Sequence, residues 1–329
     1  MRISIVCPVF DSPPHLLIAA ARSVLDDRSG AVGQLILVDD ASRRADTIEA
    51  MAALAAADRR VVLLHNPRNL GPASSRNAGL RSAREEWIGF LDADDVWLPG
   101  HISRLQALVS AHPQARWIGA RHRLVMPNGL SEPARRFTCP GGIQLGSDVQ
   151  RLEGPALTRM LLANFHIHLG ATLVRRELAD AIGGFAEGIS YYEDFLLLAK
   201  LSTQAPLFYL DADGYGWRRG GPGLTSDARR LAPASLRMHS VAARDPMLRP
   251  YRREIRWARY SATKGLALNN LMAGNRMRAL GVALRGWSID PREAGDFLLF
   301  LRLWAGGPAA APDSAARYSS AERFTVRGV

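Results

Sequence analysis

Residues 1–120 alternate between short apolar runs and stretches whose apolar residues recur at helical spacing, the pattern of a wound α/β sheet. The spacing predicts strands over Ile3–Val6, Gln34–Val38, Val61–His65 and Trp87–Leu91. Between them it predicts helices over Pro14–Leu25, Asp46–Ala57 and Pro72–Arg84. Strands joined through helices run parallel, so the expected fold is a mostly parallel, Rossmann-like sheet flanked by helices. Ligands of such sheets bind just past the carboxyl ends of the strands.

The residues at those ends are Cys7 to Asp11, Asp39 to Ser42, Asn66 to Gly71 and Asp92 to Asp95. Three of the four ends carry carboxylates, and recurrence on one sheet edge means more than a single acidic loop. Asp92, Asp94 and Asp95 are close enough in sequence to repel one another unless a cation neutralises them. A hard divalent cation, Mn²⁺ or Mg²⁺, accepts carboxylate oxygens and keeps positions open for phosphate. Held there, it would bridge the two phosphates of a nucleotide and act as a Lewis acid on the leaving diphosphate. The competing reading is an Asp-rich turn that caps a helix beginning near Pro99. No G-x-G-x-x-G follows the first strand and no G-x-x-x-x-G-K-[ST] occurs, which weakens dinucleotide dehydrogenase and P-loop readings.

Farther along, Asn128–Gly154 is rich in Gly, Pro and Ser and reads as a loop. Gly170–Val174 reads as a strand and Leu196–Leu201 as helix. Gly214–Thr225, with five glycines, reads as a flexible loop. Arg249–Trp304 reads as two or three amphipathic helices, and the tail from Gly306 as frayed. The expected organisation is a catalytic domain over 1–225, a basic helical extension over 226–305 and a disordered tail over 306–329.

Five segments, SIVCPVFD from Ser4, LILVDDAS from Leu35, NLGPASSRNAGL from Asn69, WIGFLDADDVWLP from Trp87 and YYEDFLLLAKL from Tyr191, stand in this order. In order and spacing they resemble the family 2 glycosyltransferases, inverting enzymes of the GT-A fold, over roughly residues 1–225. The resemblance implies a nucleotide-sugar donor, a divalent metal and inversion at the anomeric carbon. It implies that Pro8, Val9, Phe10 and Asp11 line the nucleoside site, with Phe10-Asp11 where the family often has Tyr-Asn. It places Asp39 and Asp40 in the same site and gives Asp40 the nucleobase ring nitrogen, which suits the imide of uracil or thymine. The residues themselves also allow a plain Asx turn with Ser42.

Arg76 is expected to hold base or diphosphate, with a surface arginine as the alternative. Asp92 and Ala93 match the start of the family's D-x-D, with Asp92 touching ribose or metal and Asp94 binding the metal. Glu193 and Asp194 match the family's acidic pair, with Asp194 as general base for the acceptor hydroxyl. Alone, that pair also suits a helix N-terminus. Arg218 is expected beside the departing diphosphate, and His168, Gly170 and Gly184 near the acceptor. His166 and His168, two residues apart, suit a pocket wall or ordinary packing better than a metal pair.

Two other functions fit parts of the sequence: a haloacid dehalogenase-like phosphohydrolase with Asp92 as nucleophile, or a non-catalytic carbohydrate-binding protein. Two cysteines make no disulfide framework, the N-terminus does not read as a secretory signal, and no apolar stretch reaches membrane-spanning length. These point to a cytoplasmic protein. The net charge of +11 is concentrated over residues 213–304, where 17 Lys/Arg stand against 7 Asp/Glu. That surplus suits peripheral contact with an anionic membrane or a lipid-linked acceptor, an acidic substrate, or a plain solvated helical face. No nucleic-acid partner is expected, and the acceptor is left open among glycan, lipid-linked and protein hydroxyls.

Overall fold

A computed structural model of the chain describes residues 1–126, 129, 131–133, 137–163, 167–219, 228–291 and 294–306. The sheet starts as the alternation predicts. Strands β1 (Ile3–Val9), β2 (Val32–Asp39), β3 (Val61–His65) and β4 (Trp87–Phe90) lie side by side in the order β3-β2-β1-β4, all parallel. They are linked by helices α1 (Pro14–Leu25), α2 (Ala45–Ala57) and α3 (Pro72–Ser82). Pro14 and Pro72 open α1 and α3, where a missing N–H costs nothing.

The second half is less regular. It comprises β5 (Val96–Trp97), α4 (His101–Ala111), β6 (Trp117–Val125), β7 (Ser131–Pro133), β8 (Ile143–Gln144), β9 (Val149–Leu152) and α5 (Gly154–Ala163). Then come β10 (Thr172–Arg175), α6 (Arg176–Ala181), α7 (Glu193–Ser202) and β11 (Leu207–Arg218). β10 lies antiparallel between β4 and β6, while β11 runs parallel to β6. Six principal strands, β3, β2, β1, β4, β6 and β11, thus share one direction, with β10 reversed among them. Short antiparallel strands β9 and β8 hem the far edge, β5 pairs with β11, and β7 pairs with β6. Trp87, Trp117, Phe90, Phe208, Tyr209 and Tyr215 are fully buried in this unit, each contributing on the order of 2 kcal/mol of apolar burial.

Three expectations need correction. The stretch 128–154 contains β7, β8 and β9 among its described residues, so it is not simply a loop. Gly170–Val174 divides into a 3-10 turn (Leu169–Ala171) and β10. Gly214–Arg218 is the end of a twelve-residue strand; the rest of the expected flexible loop, 220–225, lies outside the described residues, as do His166 and the tail from 307.

The chain divides into two compact units, Met1–Gly223 and Leu224–Val329. The second consists of α8 (Ala228–Ala242), a 3-10 turn (Pro246–Tyr251), α9 (Arg252–Met272), α10 (Arg276–Ile289) and α11 (Ala294–Gly306). Its helices pack around Ala267, Leu271, Ala279, Ala283, Phe300 and Leu303, where the alanines permit close approach. No helix among the described residues is long and apolar enough to cross a membrane.

Candidate active site

The acidic residues singled out in the sequence gather at the carboxyl edge of the sheet. Three described non-glycine residues have left-handed backbone, and all three lie in loops of this region: Asp11 (φ 48°), Ala41 (φ 62°) and Tyr192 (φ 63°). Such conformations each cost about 1 kcal/mol or more, and persist where surrounding contacts fix them. Asp11 shows how. Its Oδ1 accepts from the backbone N–H of Arg43 and Arg44 at 2.6 and 2.9 Å, and its own N–H donates to Ser42 Oγ. Asp11 therefore braces the β2–α2 loop.

Asp39 and Asp40 divide similar work. Asp39 Oδ1 accepts from Ser42 N at 2.9 Å, which is the Asx turn, while Oδ2 lies 3.3 Å from His65 Nδ1. Asp40 is buried. Its Oδ1 accepts from Asn66 Nδ2 and Leu70 N at 2.7 and 2.9 Å, and its Oδ2 from Gly71 N at 2.8 Å. A carboxylate offers about four acceptor positions, so one remains on Oδ2. Pro8 is half-buried, the Val9 and Ala93 side chains lie within the core, and Phe10 is 44% exposed just past β1.

Arg76 joins the two acidic motifs. It is buried on α3, not on an exposed face. Nη1 donates to Glu193 Oε1 at 2.6 Å and Nη2 to Asp92 Oδ1 at 2.7 Å. One guanidinium therefore links the loop after β4 to the first turn of α7, whose Glu193 stands 117 residues after Arg76 in sequence. Both terminal nitrogens thus bridge the two acids, while the buried Nε makes no hydrogen bond. Burial opposes its charge, but Asp92 and Glu193 outweigh burial and raise its pKa. Reciprocally, burial works against ionised Asp92, yet Arg76 lowers its pKa.

The three acids of the triplet have different surroundings. Asp94 is exposed; partial loss of water and the Asp92 charge raise its pKa. Asp95 is 2% exposed and fastens β11: Tyr215 Oη donates to its Oδ2 at 2.8 Å and Arg218 N to its Oδ1 at 2.7 Å. Burial, then Asp92 and Asp94, push Asp95 well above the usual carboxylate range. None of the three caps α4, whose N-cap is Gly100. Arg218 Nη1 donates to the Asp94 carbonyl at 2.9 Å, so this side chain stands beside the triplet.

Asp92, Asp95 and His168 each offer an atom within 4.8 Å of the others. The donor set does not favour a metal on His168. Burial lowers its pKa to about 3, so the ring is neutral, and Nδ1 accepts from Gly170 N at 3.1 Å. The proton is thereby left on Nε2, 4.0 Å from Asp95 Oδ2. Asp95 in turn is engaged by Tyr215 and Arg218. Asp92 keeps its second oxygen and Asp94 its exposed carboxylate, the oxygen donors that Mn²⁺ or Mg²⁺ prefers.

Glu193 and Asp194 open α7 immediately after Tyr192. Carboxylates in a first helical turn are favoured by the helix dipole. Asp194 Oδ1 accepts from Phe195 N at 2.9 Å. Burial and the adjacent Glu193 nevertheless push its pKa up to about 7, against the lowering effect of Arg76.

The residues assigned to the acceptor are packed by protein. His168 stacks on Tyr215, with centroids 4.4 Å apart, and lies near His122 and Trp217. A Cβ on Gly170 would stand 2.2 Å from the Tyr215 ring, and one on Gly184 2.6 Å from Asn77 Oδ1. The space left by each glycine is thus filled from within. Tyr215, Asn77, His122 and Trp217 were not singled out for these contacts by sequence reasoning. The continuous apolar run Leu207–Leu210 would have pointed to the start of β11, had the glycines beyond it not suggested a break.

Comparison with known proteins agrees with this architecture. The sequence model described as Glycosyl transferase family 2 matches residues 4–183, more than half the chain. An uncharacterized glycosyltransferase of Haemophilus influenzae is 24% identical over 206 residues, which cover 63% of each protein. The succinoglycan biosynthesis protein ExoW of Rhizobium meliloti is 24% identical over 217 residues, 64% of this chain and 63% of that protein. The chain thus spans less than two thirds of these relatives' length. Among solved structures, S. aureus TarS 1-349 in complex with UDP-GlcNAc has a TM-score of 0.64 at 16% identity, covering 97% of this chain and 89% of that one. At that identity the likeness speaks for the fold.

Proposed function

The chain belongs to glycosyl transferase family 2, and from that premise we propose that it moves a sugar from a UDP- or dTDP-linked donor to an acceptor hydroxyl with inversion. The observation that carries this reading is the Arg76 bridge, which holds the acidic triplet and the acidic pair in one site. A phosphohydrolase built on Asp92 has no footing in this family, and neither has a purely binding role.

Asp194 takes the proton from the acceptor hydroxyl, whose oxygen then attacks the anomeric carbon opposite the diphosphate. A base with a pKa of about 7 is ionised for much of the time at neutral pH and still binds a proton well. Glu193 holds Arg76, and through it the position of α7. Phe10, Pro8 and the remaining acceptor position on Asp40 Oδ2 favour a flat base with an imide N–H, with Val9, Asp11, Asp39 and Ala93 shaping the surrounding loops. Arg218 faces the leaving diphosphate beside the triplet. Asp94, with the second oxygen of Asp92, would hold Mn²⁺ or Mg²⁺, which supplies Lewis-acid stabilisation of the diphosphate. His168, Gly170 and Gly184 shape the acceptor side indirectly, through Tyr215 and Asn77. The acceptor is a glycan, lipid-linked or protein hydroxyl, and the protein works in the cytoplasm in peripheral contact with an anionic membrane.

The reading is tested by incubating the protein with UDP- and dTDP-sugars and Mn²⁺, with and without chelator. Metal-dependent donor binding is expected. Asp194→Asn should keep that binding and lose transfer by about 10²–10⁴-fold. Full turnover by this variant refutes the base assignment.

A further inference from the structure

Helix α10 turns two unlike faces outward from its axis. Ala279, Ala283 and Gly286 are buried, and the two alanines belong to the core of the C-terminal unit. On another face Met277, Leu284 and Trp287 are exposed, Met277 by 75%, with Leu280 between them, partly buried and packed against that same core. Intervals of three, four and three residues place these four on one stripe along the helix. Trp287 stacks on Phe297 of α11 with ring centroids 5.5 Å apart, and the neighbouring Leu298 is 59% exposed. The ring contact thus joins the α10 stripe to the first turns of α11, where Leu298 is exposed one residue on. Single exposed apolar residues are ordinary on any protein, whereas a continuous row across two helices marks a contact surface.

Charge selects the occupant. Arg278 and Arg285, seven residues apart, are exposed along one flank of the stripe, and Arg302 is exposed on α11. The sequence of α10 contains no Asp or Glu. Asp290, just beyond it, is buried and lies 3.6 Å from Arg256. Across residues 224–306, 15 Lys/Arg stand against 6 Asp/Glu. A second copy docking through this stripe would bring arginine against arginine, which disfavours it. An anionic bilayer offers what the face lacks: acyl chains for the apolar row and phosphates for the flanking guanidinium groups.

We infer that the α10–α11 stripe of Met277, Leu280, Leu284, Trp287 and Leu298, flanked by Arg278, Arg285 and Arg302, seats the protein on an anionic membrane surface. The helices lie in the interface and do not span it, in keeping with their length and composition. This inference rests on the peripheral-contact part of the proposed function and is independent of the transfer chemistry.

The test is sedimentation of the full chain with vesicles of phosphatidylcholine alone or mixed equally with phosphatidylglycerol, at low and high salt. Binding is expected to the mixed vesicles and to weaken with salt. Leu284→Asp should cut it by about tenfold or more, and each of Arg278→Gln and Arg285→Gln by about fivefold. These side chains are exposed, so melting temperatures should stay near that of the wild type. UDP-dependent thermal stabilisation should be unchanged in all three, which separates failure of this surface from failure of the donor site. Equal binding to neutral and anionic vesicles overturns the inference, as does no binding to either. A dimer that Leu284→Asp dissolves, in the absence of vesicle binding, would assign the stripe to a second copy instead.

Discussion

Asp194 concentrates the residue-scale consequences. Its folded pKa, about 7, stands above the ordinary carboxylate value of 3.8, so the folded chain holds a proton that the unfolded chain releases. Stability should therefore fall as pH rises from about 4 to about 7 and stay lower above that range. Asp194→Asn removes the cost. At pH 8 it should be more stable than the wild type by on the order of 1–3 kcal/mol, and at pH 4 equally stable. Transfer by the wild type should rise with pH to a plateau above about 7, so the same substitution trades turnover for stability. Urea melts at the two pH values, read beside a rate profile, check both halves. For Asp94, whose carboxylate is exposed, Asp94→Ala should leave the melt unchanged and abolish Mn²⁺-dependent binding of UDP in calorimetry. The acids of this site were legible in sequence because charge clusters stand out. Their division of labour was not, because the fastening of Asp95 depends on Tyr215, 120 positions away.

Elements were most legible where the polypeptide obeys one period. The first four strands and three helices follow the predicted order, and their ends shift by at most a few residues. The half that resisted reading mixes signals. β6 contains Arg121, His122 and Arg123, which break the apolar run. The two arginines are accommodated by Asp213, at contacts of 2.5 Å each, and Arg121 also by Asp211 at 2.8 Å. Those partners come from irregular positions of β11, where the register shifts around Asp213. A strand stabilised by cross-strand charges from a bulged neighbour has no local pattern to recognise. The packing of β11 also yields a prediction. Gly170→Ala forces a methyl against the Tyr215 ring, which is hydrogen-bonded to Asp95. It should destabilise by about 1–3 kcal/mol and lower UDP affinity through displacement of the triplet loop, measured by thermal melting and by titration of the folded protein.

On the scale of the molecule, the proposal that residues 1–225 are a catalytic domain has a direct check. A chain cut after residue 225 should melt cooperatively and be stabilised by UDP with Mn²⁺, by about 2.7 kcal/mol at a hundred times the dissociation constant. It should also fail to sediment with anionic vesicles. Aggregation of that fragment would show that the C-terminal helices are needed for folding. The division was only partly legible in sequence, since composition announces the basic third but not where the compact units part, between Gly223 and Leu224. The guanidinium at position 76 also carries a message about time. Its second carboxylate partner is synthesised 117 residues after it, and the strand that fits between β4 and β6 likewise emerges late. On the ribosome, then, Arg76 and Asp92 emerge well before α7, and the second carboxylate joins the guanidinium only when that helix arrives. The join between the two acidic segments is therefore among the later ones the growing chain can make.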